Sequence, residues 1–436
     1  MRHVVTTETY GYKLEERPLS PPDKTLGTET VTVDPKTVHQ TIIGFGGAFT
    51  EASAYNLSRV SENVRKRVIK AYFNPDDGIG YTLGRVSVHG CDFSLGSYLY
   101  IDDYDDTLES FSIERDRPVI NMIKDASREL GQDIRILASP WTPPFWMKDN
   151  HSPIRGGKLI PSYDGIWARY LAKFVEAYRK EGIDIFALTL QNEPMAVQRW
   201  DSCIYEDADE VRFLKVLGKT LHDQGMEDIK LYIWDHNRDL MVRRAQAVYS
   251  DPEAARYAYG TAFHWYENEQ FEEVGKHKTL FPDKHLLFTE GCQENGPHFG
   301  DWSVGIRYGR NIINDLMNGN EGHIDWNLVL DDTGGPNHVN NLCSSPVMLK
   351  IFHEEVVLNP SFHVMGQFSK FIRPGAKRLE ADMSGSLKAV AFENADGSQV
   401  LVVMNETDDE VNLRVTGLKA LVETTVHAKA FHTFVL

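Results

Sequence analysis

Eight short apolar runs, separated mostly by amphipathic segments, restrict the fold of this sequence more than any other feature. The intervening segments, such as 61–73 and 163–181, carry apolar residues at helical spacing, and Gly182 follows the second where a helix-ending glycine is expected. Apolar strands that alternate with helices indicate a parallel sheet covered on both faces, and eight such units favour a closed barrel. The predicted strands are 41–47, 81–88, 134–139, 186–193, 229–234, 260–265, 286–290 and 324–330.

The character of the sequence changes after about residue 362. Apolar segments there are short and are joined by turn-forming residues, as in the loop 394–398, which is typical of antiparallel strands. A half-exposed strand at 28–33 precedes the barrel, so both termini are expected to contribute to one small domain. We therefore predict an α/β chain with a (β/α)8 TIM barrel and an accessory antiparallel β-sandwich. The predicted division is 41–355 for the catalytic barrel, with 1–40 and 356–436 forming the sandwich.

Charge and cysteine usage narrow the function classes. The chain has 46 basic and 63 acidic residues and a net charge of −17, which argues against nucleic acid and anionic membranes as partners. The first residues lack the apolar core of a signal peptide and no stretch is long enough to span a membrane, so a cytoplasmic location is expected. The four cysteines are widely spaced, which indicates neither a disulfide framework nor a zinc ribbon.

Two of the eight runs end in a glutamate, Glu193 and Glu290. In a parallel barrel the carboxyl ends of the strands form the face where chemistry occurs, and strands four and seven face each other across its mouth. Two carboxyl groups are what glycosidic-bond hydrolysis requires, roughly 5–5.5 Å apart for retention and about 6.5–9.5 Å apart for inversion. Asn192, beside Glu193, can donate to a sugar 2-hydroxyl.

Seven segments in order carry a family resemblance. They are GFGGAFT at 44–50, GCDFS at 90–94, ASPWTPP at 138–144, NEP at 192–194, HWY at 264–266, TEG at 289–291 and DWNL at 325–328. Together they resemble glycoside hydrolase family 30, which includes glucosylceramidases and β-1,6-glucanases. The segment 198–205, which includes Trp200, is more similar to the β-1,6-glucanase members than to the lipid-active ones and would border the leaving-group site.

The resemblance implies a role for each matching residue. Glu193 would be the acid/base, Glu290 the nucleophile, and the Tyr266 hydroxyl would favour the ionised form of Glu290. Further substrate-binding residues would be Asp92, Trp141, Asn192, Trp200, His264, Trp326 and Asn341. The expected activity is retaining hydrolysis of β-D-glucosides by double displacement, without a cofactor or a metal. The sequence leaves open β-xyloside or β-fucoside preference, the aglycone (β-1,6-glucan, oligosaccharide or glucolipid), chain-end or internal cleavage, and the oligomeric state.

Three other hypotheses compete with the glycosidase hypothesis. A metal hydrolase would use the side chains near strand ends that can ligate a divalent ion, although no HxH or HExxH spacing is present. These side chains are His89, Asp235, His236 and His264. A thiol nucleophile at Cys292 would need a base that the sequence does not place beside it. A non-catalytic carbohydrate-binding barrel would be expected to lack one of the two glutamates.

Overall fold

The computed structural model describes residues 1–436. The strands are β1 (Arg2–Thr7), β2 (Glu15–Glu16), β3 (Thr28–Thr41), β4 (Gly44–Ala48), β5 (Leu83–Val88), β6 (Arg135–Pro140), β7 (Asp184–Thr189), β8 (Lys230–Asn237), β9 (Ala258–His264), β10 (His285–Glu290), β11 (Gln293–Glu294), β12 (Gly322–Asn327), β13 (Val329–Asp331), β14 (Cys343–Ser344), β15 (Val347–Lys350), β16 (Glu355–Leu358), β17 (Lys377–Met383), β18 (Lys388–Glu393), β19 (Gln399–Asn405), β20 (Val411–Thr416), β21 (Val422–Val426) and β22 (Ala430–Val435). The α-helices are α1 (Glu51–Ser58), α2 (Glu62–Phe73), α3 (Arg117–Leu130), α4 (Asp164–Lys180), α5 (Asp207–Asp223), α6 (Met241–Tyr249), α7 (Pro252–Tyr257), α8 (Phe271–Leu280), α9 (Trp302–Met317) and α10 (Pro360–Ser369).

Eight parallel strands close into a barrel in the order β10, β12, β4, β5, β6, β7, β8, β9. The predicted (β/α)8 barrel is confirmed, and the predicted helices 61–73 and 163–181 are α2 and α4, with ends that shift by no more than one residue. Gly182 adopts φ +79° just beyond α4, a left-handed conformation that a glycine tolerates without strain. Local capping and apolar periodicity were therefore sufficient to place these helices.

Two barrel strands differ from the prediction at their carboxyl ends. β7 stops at Thr189 instead of Glu193, because the chain leaves the ladder and Glu193 turns into the left-handed region at φ +47°. The run predicted at 324–330 divides into β12 and β13, since β13 pairs with β15 outside the barrel. Both differences lie at the rim, where the chain must turn away from the barrel to form a site.

Nine strands from both termini form the accessory sheet, in the order β2, β1, β22, β19, β18, β17, β3, β20, β21. The predicted contribution of both termini is confirmed. The long strand β3 pairs antiparallel with β17 but parallel with β20, so the sheet contains one parallel pair that the prediction of an antiparallel arrangement did not include. Helix α10 packs against α9 and against β1 and β22, which joins this sheet to the barrel. The predicted division at residue 355 stays a prediction.

The two largest of four apolar clusters hold the molecule together. The larger one contains 89 buried residues and runs from the barrel–helix layer into one face of the accessory sheet. The smaller one contains 13 residues and fills the other side of that sheet. The sheet is therefore buried on both faces, which agrees with the sandwich prediction. None of the ten α-helices combines the length and the apolar character that crossing a bilayer demands.

Candidate active site

A cavity of about 440 Å³ opens at the carboxyl ends of the barrel strands. Its volume is within the usual range for small-molecule sites. Nine of the ten predicted site residues line it, namely Asp92, Trp141, Asn192, Glu193, Trp200, Tyr266, Glu290, Trp326 and Asn341. The tenth, His264, is fully buried behind the wall. The barrel thus collects residues from across more than half of the sequence into one concave surface.

The two glutamates meet at the centre of this cavity. Glu290 is the last residue of β10, while Glu193 sits in the turn after β7, where its backbone N–H donates to Asp235 at 2.9 Å. A carboxylate oxygen of Glu193, one of Glu290 and a ring nitrogen of His264 all lie within 4.8 Å of one another. This spacing leaves room for one reacting carbon between the carboxyl groups.

Arg85, in the middle of β5, supports the floor of the site from below. Its side chain is completely buried and donates to Glu290 and, at 2.8 Å, to Asn192 and to Asp235. Because the Asn192 amide oxygen accepts from Arg85, its amide nitrogen is left to face the cavity. One guanidinium therefore fixes both the Glu290 carboxylate and the Asn192 amide that was predicted to meet a sugar 2-hydroxyl.

Tyr266 holds the other oxygen of Glu290. Its hydroxyl donates to Oε1 at 2.9 Å, and the same hydroxyl lies 3.6 Å from the Cys292 sulfur. Glu290 consequently receives one hydrogen bond on each carboxylate oxygen, which orients the carboxylate and favours its charged form.

His264 lies behind Glu193 rather than on the cavity surface. Its Nδ1 is 3.4 Å from Glu193 and its Nε2 is 2.9 Å from Asp235. Burial lowers the pKa of His264, but Glu290, Asp235 and Glu193 outweigh burial and raise that pKa to about 9. The ring is therefore a cation near neutral pH.

The two catalytic-site carboxyl groups titrate as a pair because they are so close. Burial raises the pKa of the Glu290 carboxyl, and the positive charges of His264 and Arg85 oppose that rise. Burial also favours a higher pKa for Glu193, but His264 and His236 outweigh it and lower the pKa in the free protein.

The inner end of the cavity is built to recognise hydroxyl groups. Asp92 accepts from the amides of Asn341 at 3.0 Å and Asn337 at 3.2 Å through the same oxygen, which leaves its second oxygen available. Burial raises the pKa of Asp92 to about 7. The rings of Trp141 and Trp326 stack with centroids 5.4 Å apart and form an apolar platform beside it.

The outer side of the cavity is bordered by a segment we name the 198–205 strap. Met195, His236 and Glu267 line this side together with Trp200. The strap is tied down by main-chain bonds to the 153–157 loop and by Lys148, which is fully buried and donates to Ser202 O at 2.6 Å. The leaving-group side is therefore a preformed wall.

The four side chains that were considered as metal ligands do not converge on one point. His89 is fully buried with its two nitrogens bonded to Tyr170 and to the Thr142 carbonyl, away from the cavity. Asp235 accepts from Arg85, Ser139, Thr189 and Thr289 in addition to His264, which lowers its pKa. Both side chains are already satisfied by protein partners. Cys292 has a raised pKa and no basic partner, so it is not an activated nucleophile.

Sequence reasoning did not assign three residues that shape the site. Arg85 had a detectable signal, since a charge inside an apolar strand is almost never buried unless it is paired. Asp235 was considered only as a metal ligand, although it supports both Arg85 and His264. Asn337 belongs to a loop whose approach to Asp92 depends on tertiary structure and has no local signal.

Comparisons with known proteins agree on one family. The family model "Glycosyl hydrolase family 30 TIM-barrel domain" matches residues 42–372, and "Glycosyl hydrolase family 30 beta sandwich domain" matches residues 375–434. The mouse lysosomal acid glucosylceramidase is 35% identical over 93% of this chain and 82% of its own length.

Two solved structures extend the likeness over the whole chain. SrfJ from Salmonella typhimurium has a TM-score of 0.93 and 34% identity, and covers 100% of this chain and 99% of that one. The endo-β1,6-glucanase BT3312 has a TM-score of 0.90 and 27% identity, and covers 100% of this chain and 98% of that one. The chain therefore belongs to glycosyl hydrolase family 30 and is a retaining β-glycosidase.

Proposed function

We propose that this enzyme hydrolyses β-D-glucosides, with Glu290 as nucleophile and Glu193 as acid/base. The observation that carries the proposal is the separation of the two carboxylates, whose nearest oxygens lie within 4.8 Å. That separation fits the roughly 5–5.5 Å of double displacement and is short of the room that an inverting water needs. The hydrogen bonds support the division of roles, because Arg85 and Tyr266 orient both carboxylate oxygens of Glu290, whereas the Glu193 carboxylate has only the long contact to His264.

In the first step Glu290 attacks the anomeric carbon while Glu193 gives its proton to the leaving oxygen. Arg85 and Tyr266 hold the Glu290 carboxylate ionised and aimed into the cavity. Once the glycosyl–enzyme bond forms, the negative charge of Glu290 is gone, which lowers the pKa of Glu193 further. Glu193 then accepts a proton from water, and the hydroxide formed releases the sugar with its original anomeric configuration.

The inner end of the cavity suits a pyranose with equatorial hydroxyls, which glucose and xylose share, and the names of the relatives favour glucose. Asp92 and Asn341 present polar atoms beside the apolar platform of Trp141 and Trp326, which suits a ring with equatorial hydroxyls on its edge and C–H groups on its face. Both named relatives, a glucosylceramidase and a β1,6-glucanase, are named for glucose-containing substrates. This agreement favours glucose over xylose or fucose.

For the leaving group we propose a further sugar, in a β-1,6-linked glucan or oligosaccharide. Trp200 offers an aromatic face on the outer wall, with polar groups of Gln198, His236 and Glu267 around it. A glucolipid is the second candidate, because Met195 and Val197 at the rim are 44% and 66% exposed and offer apolar contact.

A comparison of substrates tests the proposal. Initial rates are measured on the 4-nitrophenyl β-glycosides of glucose, xylose and fucose, then on β-1,6-glucan and on glucosylceramide in detergent. We expect the glucoside and the β-1,6-glucan to be preferred, and NMR to record the β-anomer as the first product. A first-formed α-anomer would reject the mechanism, and a faster xyloside would reject the glycone.

A further inference from the structure

Two cysteine thiols lie on the same wall of the cavity and take no part in the proposed reaction. Cys292 follows Glu290 by two residues, and Cys343 follows Asn341 by two. Both line the cavity although each is only 3% exposed, and both belong to the same ten-residue apolar cluster. All four cysteines of the chain are free thiols, so this pair is available for coordination.

The strand pairing fixes how these two thiols face each other. In the β11–β14 ladder Gln293 is opposite Ser344 and Glu294 is opposite Cys343. Cys292 is two residues before Glu294 and therefore on the same face, diagonal to Cys343. The interaction with the Cys343 thiol, together with burial, raises the pKa of Cys292.

This diagonal placement favours a bridging ion over a disulfide. Diagonal neighbours in an antiparallel ladder have Cα atoms about 7–8 Å apart, whereas a disulfide needs about 4.4–6.8 Å. A cation held by two sulfurs at about 2.3 Å from each can span a wider gap than the S–S bond.

We propose that Cys292 and Cys343 form a two-thiolate site for a soft cation of the Ag(I), Cu(I) or Hg(II) class, and that filling it stops turnover. Thiolates select such ions. On binding, each S–H bond breaks, both protons go to solvent, and each sulfur donates an electron pair to the cation, which loses two water or buffer ligands. No electron is transferred, so the step needs no oxidant.

The location of the two-thiolate site explains why a bound cation inhibits hydrolysis. The Tyr266 hydroxyl touches the Cys292 sulfur at 3.6 Å while it donates to Glu290 at 2.9 Å. A cation on that sulfur displaces the hydroxyl and places positive charge beside the carboxylate, which weakens its attack. The inhibition rests on the proposed function, whereas the binding does not.

Silver nitrate is the probe, titrated into the full chain in chloride-free, weakly buffered solution. Calorimetry and pH measurement follow binding and proton release, while hydrolysis of the aryl β-glucoside follows activity. We expect a site that releases two protons per Ag⁺ as it fills, activity that is lost at the same equivalence point, and recovery with excess dithiothreitol. Release of a single proton would overturn the two-thiolate site.

Variants separate this pair from the other thiols. Cys343→Val and Cys343→Ser keep Cys292 but lose chelation, so the inhibitory Ag⁺ concentration should rise by on the order of 100-fold, with basal kcat/KM within about twofold. Cys203→Val is the control for silver sensitivity, because that buried thiol does not line the cavity, and its inhibitory Ag⁺ concentration should equal that of the wild type.

Each remaining outcome decides one point. Wild-type sensitivity in both Cys343 variants, or lost sensitivity in Cys203→Val, would overturn the assignment to this pair. Two-proton binding in a chain that hydrolyses no glucoside would uphold the site and reject the proposed function. Undiminished turnover with the site filled would overturn the inhibition.

Discussion

At the scale of single residues, Glu193 and Glu290 differ in what holds them. The Glu290 carboxylate accepts hydrogen bonds from Arg85 and Tyr266, whereas the Glu193 carboxylate has only the long contact to His264. We expect Glu290→Ala to abolish turnover on every substrate. Glu193→Ala should keep the first step only for aglycones that leave without a proton, such as dinitrophenol, and azide should accelerate release of the trapped sugar. Equal losses on good and poor leaving groups would contradict the acid role.

Arg85 makes a second residue-scale prediction because it is a buried cation between two buried acids. Arg85→Met removes the buried guanidinium that balances the charges of Asp235 and Glu290, which should cost about 3–5 kcal/mol of unfolding free energy. The guanidinium lowers the pKa of Glu290, so its removal raises that pKa and should move the acid limb of kcat/KM to higher pH. Denaturant titration and a pH profile measure the two effects. Arg85→Lys keeps the positive charge, so it should shift the acid limb of the pH profile less. An acid limb that does not move in Arg85→Met would refute the effect of Arg85 on the pKa of Glu290.

His264 gives a prediction about stability and pH. Its folded pKa of about 9 exceeds the unfolded value of about 6.5, so its contribution is fully present below pH 6.5 and is lost as pH rises through 9. The destabilisation caused by His264→Gln should therefore shrink by on the order of 3 kcal/mol between pH 6 and pH 9.5.

His277 is the matched control for that experiment. It is also buried, but burial lowers its pKa to about 3, so its contribution is present above pH 6.5 and is lost as pH falls. His277→Gln should therefore show the opposite trend, with its cost largest near neutral pH and smaller in acid. Parallel pH trends for the two variants in urea titrations would contradict both assignments.

At the scale of elements, the 198–205 strap determines the leaving-group side. Lys148 donates to the carbonyls of Ser152 and Ser202, and burial lowers its pKa to about 8. Lys148→Met removes these donors, so we expect KM for a β-1,6-linked disaccharide to rise severalfold while the aryl glucoside is hardly affected.

Lys284 provides the control for the strap. Its ammonium also donates to two main-chain carbonyls, Ala255 and Ala258, and burial also lowers its pKa, but it lies before β10 at the opposite end of the barrel. Lys284→Met should lose stability without changing the ratio of KM values for the two substrates. An unchanged ratio in Lys148→Met as well would mean that the strap does not bind the leaving sugar.

The same elements explain what the sequence could and could not predict. The barrel and the position of Glu290 could be predicted because apolar runs that end in polar residues are visible in the local sequence. β17 was missed because its residues, KRLEADM, are half-exposed and charged, and because its longer pairing is with the distant β3. The end of β7 was misplaced because Glu193 takes a left-handed conformation in which its N–H donates to the main chain of Asp235 in β8, a contact that depends on tertiary structure. Arg85 was missed because its four partners lie in four other barrel segments.

At the scale of the whole molecule, strand β22 connects the two cores. Phe431 and Phe434 are both fully buried and lie on opposite faces of this strand. Phe431 belongs to the large core shared with the barrel, where it packs against Trp302, while Phe434 belongs to the core of the accessory sheet alone. The pair can therefore report whether the two domains unfold together.

Each substitution to alanine should cost about 3–5 kcal/mol, because each removes a buried ring of the same size. The shared core predicts one cooperative transition for the wild type, with active-site tryptophan fluorescence and far-ultraviolet circular dichroism changing together. Phe431→Ala weakens the contact that couples the domains, so it should separate the two signals, with the accessory sheet melting first. Phe434→Ala should lower the transition temperature but keep the signals coincident, because the interface is untouched. Coincident transitions in Phe431→Ala would show that the barrel does not depend on this contact for cooperativity.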